Sequence, residues 1–332
     1  MTLKVQYPLL GRRTLDFDVR AKWFTAIYDE IRRRIPTEVL RLYYVPVSRA
    51  TAWTYRIQML AFESRDAVTH ITTQMHAFLL RRRPRAPTVI TCYDLVAPWT
   101  LMRLSFADRV IVPTAHTRDL LRDAVPLPHE PEVIPLAVPP AYRSAQVMHQ
   151  QNRILYVGTE QPRKNVEGLF RIVARVVRDA PVVLVKVGAP SPARESLERL
   201  AEELGIRDRI LWKNVVSEEE LLNLYRTSSV TVVPSFVEGF SMPCLEAMAC
   251  GCPLVASKLS AIPEVVGDGG LLINPRDEAA WAQAILRVLQ EDSFSSDLSR
   301  RGIERARAFS AVNSAQQTIR VYEETWGDRR GS

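Results

Sequence analysis

From Arg153 onward, short β-branched apolar runs alternate with segments of helical period. The runs occupy residues 154–157, 182–187, 210–212, 230–233, 254–256 and 271–273. Runs of this kind predict buried strands, and their alternation with helices predicts a parallel sheet. Between the first two, Val166, Leu169, Phe170, Val173 and Val177 share one helical face with Arg171, Arg175 and Arg178 opposite, the pattern of a helix lying on that sheet. Ser217-Glu218-Glu219-Glu220 ahead of Leu221 and Leu222 is a capping-box signature that opens another helix. The second half therefore reads as a Rossmann-like domain, in which ligands bind outside the carboxyl ends of the strands.

The first half carries a weaker pattern. Residues 67–71, 88–92 and 109–113 predict buried strands, and residues 20–34 and 50–62 predict helices, which together suit a smaller α/β layer. Pro135, Pro139 and Pro140 mark the connection between the halves. The expected architecture is α/β, with two Rossmann-like domains facing a cleft over residues 1–145 and 146–310. A last helix near 311–329 could pack on either domain, including back on the first.

Composition agrees with two globular domains: 332 residues, 47% apolar and 24% charged, which excludes a mostly disordered or fibrous chain. No stretch reaches ~18 apolar residues, and residues 1–8 lack the apolar region of a leader peptide. A cytoplasmic location is expected, peripheral on the inner face of a membrane if the surface is basic enough. Cys92, Cys244, Cys250 and Cys252 are too few for a disulfide framework, lack paired metal-ligand spacing, and read as buried thiols.

Charge is split unevenly. The chain carries +7, but residues 1–150 hold 21 Lys and Arg against 13 Asp and Glu, and the rest holds 23 against 24. The basic half should face something anionic. Arg81-Arg82-Arg83-Pro84-Arg85 beside apolar residues 77–80 suits an anionic membrane surface, or else a solvated face. No groove-reading helix or aromatic-interleaved basic strand points to nucleic acid.

The informative chemistry lies in residues 234–253, PSFVEGFSMPCLEAMACGCP. Here a strand gives way to a helix with Ser241 as its N-cap, Pro243 in the first turn and Gly251 at its end. Glu238 then precedes the helix and Glu246 falls near its second turn, so both can reach one ligand. The amides of Gly239, Phe240 and Ser241 at the positive end of the helix dipole suit an anion. A carboxylate beside an anion site disfavours a bare phosphate but suits the hydroxyl groups of a sugar joined to one. Residues 156–165, YVGTEQPRKN, place Gly158 in a tight turn after a strand, followed by Arg163 and Lys164. These cations could neutralise a departing diphosphate. Equally, they could form a solvated basic turn with Asn165 as a helix cap.

Together these segments resemble the retaining GT-B glycosyltransferases of family 4. The likeness rests on the E-x7-E pair Glu238 and Glu246, and on residues 262–275, IPEVVGDGGLLINP. The resemblance implies transfer of a hexose from a nucleotide-diphosphate sugar to a glycan or lipid-linked acceptor. It also implies that Glu238 meets the donor sugar, Glu246 the ribose, and Arg163 with Lys164 the diphosphate. Thr159 stands where some members carry a diphosphate-binding arginine, and Ser241 where glycine is commoner. The likeness further implies no metal cofactor, in keeping with the lack of an Asp-x-Asp sequence. In the first half it is thinner, resting on residues 68–74 and 89–95. His70 is the candidate nearest the reacting centre, or else a hydrogen-bonded buried histidine at a strand end. Tyr93-Asp94 stands where relatives often carry His-Asp. A non-catalytic protein that keeps the donor fold and recruits partners is the rival reading. A nicotinamide oxidoreductase is disfavoured because no G-x-G-x-x-G follows a strand.

Overall fold

The computed structural model describes residues 3–10, 19–42, 66–80, 83–95, 101–145 and 150–331. The chain divides into two units, one of residues 1–139 with 309–332, the other of residues 140–308.

In the first unit the strands are β1 (Val5–Leu10), β2 (Thr37–Leu42), β3 (Val68–Ile71), β4 (Thr88–Thr91), β5 (Arg109–Val112) and β6 (Glu132–Val133). They pair in the order β2-β1-β3-β4-β5-β6, every pair parallel. Helix α1 (Val19–Arg32) follows β1, and α2 (Ala115–Ala124) follows β5, opened by Thr114 Oγ1 accepting from the Thr117 amide. The expected helix over residues 50–62 lies outside the described residues.

The second unit holds β7 (Gln150–Val157), α3 (Val166–Val176), β8 (Val183–Val187), α4 (Arg194–Glu203), β9 (Ile210–Lys213), α5 (Glu218–Thr227) and β10 (Ser228–Val233). It continues with α6 (Met242–Cys250), β11 (Leu254–Ser257), α7 (Ile262–Val266), β12 (Leu271–Ile273), α8 (Glu278–Gln290) and α9 (Asp292–Ala306). Its sheet runs β12-β11-β10-β7-β8-β9, all parallel, so each apolar run noted above is a strand. The predicted face of α3 is buried: Val166, Leu169, Phe170 and Val173 pack with Ile154, Leu184 and Trp281. Burial of such side chains contributes ~1.5–3 kcal/mol each and fixes α3 against the sheet. Ser217 Oγ caps α5 by accepting from the Glu220 amide, as its sequence predicts.

The final helix, α10 (Ala311–Gly331), belongs to the first unit. Its Ala315, Val321, Tyr322 and Trp326 join Val5, Tyr7, Ile27, Ile31 and Val68 in one core. Ion pairs pin its end, with Asp328 on Arg109 at 2.7 Å and Arg329 on buried Asp108 at 2.9 Å. Asp108 also takes Arg83 at 2.7 Å and the Thr88 amide at 2.8 Å. Arg83 thus serves the fold as well as the surface. Arg81 and Arg82 lie outside the described residues, and Arg85 is exposed. Among the described residues no helix is long and apolar enough to cross a membrane.

Candidate functional site

At the carboxyl ends of β7 and β10 the loops are tied to each other. The Phe236 amide donates to Arg163 O at 2.8 Å, and Asn165 Nδ2 donates to Pro234 O at 3.1 Å and Pro275 O at 3.2 Å. Asn165 is thus a staple between loops: with φ of 56° it makes no side-chain capping bond to α3, unlike the helix cap that one reading of the turn offered. Gly158 is demanded by contact. A Cβ there would meet the Tyr156 hydroxyl at 2.7 Å, and that hydroxyl donates to Thr159 O at 3.1 Å to fix the turn from beneath.

This frame brings Arg163, Lys164 and Glu238 together. Lys164 Nζ donates to Glu238 Oε1 at 2.6 Å, Ser235 Oγ donates to the same oxygen at 2.8 Å, and Arg163 Nη1 approaches Oε2 at 3.4 Å. Arg163 Nη1 also donates to Val237 O at 3.1 Å and its Nε to Gln161 Oε1 at 2.9 Å. Behind the loop, Ser260 Oγ accepts from the Glu238 amide at 3.1 Å and donates to its carbonyl at 2.7 Å. Glu238 is 6% exposed, so its charge is held by partners rather than by water. Two cations around one carboxylate leave a net positive charge.

Helix α6 begins differently from expectation. Ser241 occupies the N-cap position but with φ of 81° and no capping bond, because the left-handed backbone carries its Oγ to Cys244 Sγ at 3.2 Å. A left-handed backbone of this kind costs an L-residue roughly 1–2 kcal/mol, which glycine would avoid. Gly239 lies just before it and Phe240 is buried. Gly251 ends α6 at φ of 77°, as the sequence predicts. Glu246, on the second turn, is buried at 3% exposure and accepts from the Tyr225 hydroxyl through Oε2 at 2.7 Å. Cys244, Cys250 and Cys252 are buried too, and burial pushes each thiol up to about 12, so they pack as neutral groups.

His70 lies inside the first unit. It is 1% exposed, with Nδ1 at 2.6 Å from the Tyr322 hydroxyl and Nε2 at 2.8 Å from Thr91 Oγ1. Burial lowers its pKa to about 3. A histidine so enclosed and held neutral matches the hydrogen-bonded buried histidine that the sequence left open beside the catalytic reading. Tyr93 and Asp94 close around Gln74: Gln74 Oε1 accepts from the Tyr93 amide at 3.1 Å, and Nε2 donates to Asp94 Oδ1 at 3.2 Å.

A second ionic cluster was not foreseen. Lys186 Nζ lies 2.7 Å from Glu160 Oε1 with both side chains wholly buried, and Arg194 Nε lies 2.7 Å from the same oxygen. The Ser191 amide donates to Oε2 at 2.7 Å. Burial alone would raise Glu160, but Lys186, Arg194 and Ser191 outweigh it and hold the carboxyl below its usual range. The signal was present: a lysine inside the apolar run 182–187 needs a buried partner.

Over 175 residues the chain is 38% identical to the O-antigen chain mannosyltransferase B of Escherichia coli, covering 52% of this chain and 46% of that protein. Over 246 residues it is 34% identical to the MMP alpha-(1->4)-mannosyltransferase of Mycolicibacterium hassiacum, covering 72% and 59%. The matched stretches thus span about half the length of these relatives. Among solved structures, sucrose-phosphate synthase from Thermosynechococcus elongatus superposes with a TM-score of 0.81 at 22% identity, covering 98% of this chain and 99% of the other. Anabaena HepE, solved with UDP and glucose, gives 0.78 at 17% identity, covering 96% and 99%. The shared fold is GT-B, with two Rossmann-like units. The family model for glycosyl transferases group 1 matches residues 141–308, half of the chain, and the protein belongs to that family.

Proposed function

We propose that this protein transfers a hexose from a nucleotide-diphosphate sugar to a glycan or lipid-linked acceptor, with retention at the anomeric carbon. The observation that carries the reading is Glu238 held at 2.6 Å by Lys164 beside Arg163, at the carboxyl ends of parallel strands. A carboxylate among cations accepts sugar hydroxyls, while the cations meet the diphosphate whose charge grows as the glycosidic bond breaks. Lys164 has three N–H donors, one of them directed at Glu238, so it can serve carboxylate and phosphate together. Glu246, eight residues on, is assigned to the ribose hydroxyls. No metal is needed in this scheme, since fixed cations take the part a metal would play at the diphosphate. The relatives named as mannosyltransferases, and the HepE structure holding UDP and glucose, support the donor class.

The test is nucleotide release from UDP-, GDP- and ADP-sugars, with and without oligosaccharide acceptors. Slow release without acceptor by the wild type is expected for one base. Glu238→Ala should lower it at least ~10²-fold, the scale of one lost polar contact to a reacting group, with circular dichroism unchanged. Release at the wild-type rate by this variant would remove Glu238 from the site. No release of any sugar by the wild type would favour the non-catalytic alternative.

A further inference from the structure

Glu246 is gripped from two separate segments. Tyr225, wholly buried on α5, donates to its Oε2 at 2.7 Å. Tyr142, 3% exposed in the stretch by which the chain enters the second unit, hydrogen-bonds the same carboxylate. The two rings meet edge to face with centroids 6.4 Å apart. Burial and the Glu246 charge raise both phenols well above their ordinary value, so both remain protonated donors. Tyr142 is itself clamped on either side: Arg226 Nη2 donates to Ala141 O at 2.8 Å and Nε to Arg143 O at 3.0 Å.

We propose that Tyr142 and Tyr225 are positioning residues that aim the Glu246 carboxylate at the vicinal hydroxyls of a ribonucleotide, so that the entry segment takes part in sugar discrimination. The proposal rests on the assignment of Glu246 to the ribose. A carboxylate has about four acceptor directions. Each phenol takes one of them, and a pair of neighbouring hydroxyls requires two. The grip also removes the rotamer freedom of a Glu side chain before the ligand arrives. Without either phenol that ordering would fall on ligand binding.

The experiment is calorimetric titration with GDP and 2′-deoxy-GDP, and with UDP and 2′-deoxy-UDP, on the wild type, Tyr142→Phe, Tyr225→Phe and Glu246→Gln. For the base it binds, the wild type should favour the ribonucleotide at least tenfold. Each Phe variant should reduce that preference to under threefold while changing 2′-deoxynucleotide affinity by less than threefold. Phe keeps ring and packing, and two independent variants guard against one that fails to fold. Equal weakening toward both sugars would mean that the phenols merely support the fold, and the proposal would fall. The same holds if Glu246→Gln loses the preference and both Phe variants keep it. A wild type indifferent to the 2′-hydroxyl would instead remove Glu246 from the ribose, and the proposal with it.

Discussion

Lys164 Nζ lies 2.6 Å from Glu238 with 13% of its side chain exposed, whereas Arg163 lies 3.4 Å away with 26% exposed. The shorter, drier contact is the stronger one, because charge interaction grows as distance and screening fall. Lys164→Ala should therefore lower turnover by ~10²–10³-fold, the cost of losing one donor at developing charge. Arg163→Ala should cost roughly tenfold, or ~1.4 kcal/mol of barrier. Steady-state rates with the preferred donor measure both, and losses below threefold for both would return the turn to a solvated surface. Glu238, Arg163 and Lys164 were legible because charged residues flank glycine and proline turns at strand ends. Ser235, Ser260 and the two tyrosines were not. Their roles depend on contacts such as Tyr225 with Glu246, 21 residues apart, which no local pattern encodes.

At the scale of elements, the loops at the carboxyl ends of β7 and β8 are held by the buried Lys186–Glu160–Arg194 cluster, which joins the end of β8 to the turn after β7 and the start of α4. Desolvating two charges is costly, and the pair repays it only while both members and the Ser191 amide are present. Removing one partner should thus be worse than removing both. Glu160→Gln is expected to destabilise the second unit by ~3–5 kcal/mol, whereas Glu160→Leu with Lys186→Met should recover most of it. Denaturant midpoints of the single and double variants decide, and additive losses would show that the cluster is not coupled. The strands themselves were plain in the sequence, since each is a short buried run closed by a turn. Helix starts were less so: Ser217 caps α5 through its side chain, while Ser241 and Asn165 hold the same position in left-handed backbone and do not cap. Residue type predicts the place of a cap, but dihedral decides whether the side chain can perform it.

Across the whole chain, the first unit is completed by its last helix. The apolar face of α10 would suit either unit, so the sequence left its place open, and polar contacts inside the core mark the choice. Thr91, His70, Tyr322 and Tyr7 form one hydrogen-bonded line, at 2.8, 2.6 and 3.1 Å, from β4 through β3 and α10 to β1. Its middle member must stay neutral, because burial takes His70 from 6.5 down to about 3. The sign follows directly. Between these values the unfolded chain binds a proton that the folded one does not, so the contribution is whole above pH 6.5 and is lost as pH falls toward 3. From pH 7 to pH 5 this one group should remove about 2 kcal/mol from the stability of the first unit. His70→Gln keeps a polar side chain but no titrating ring, so it should start less stable at pH 7 and lose about 2 kcal/mol less on acidification. Urea unfolding of both proteins at the two pH values, followed on the transition of the first unit, measures the difference between their slopes. Equal losses would mean that His70 takes up its proton in place, and that the line joining α10 to the sheet does not depend on a neutral imidazole.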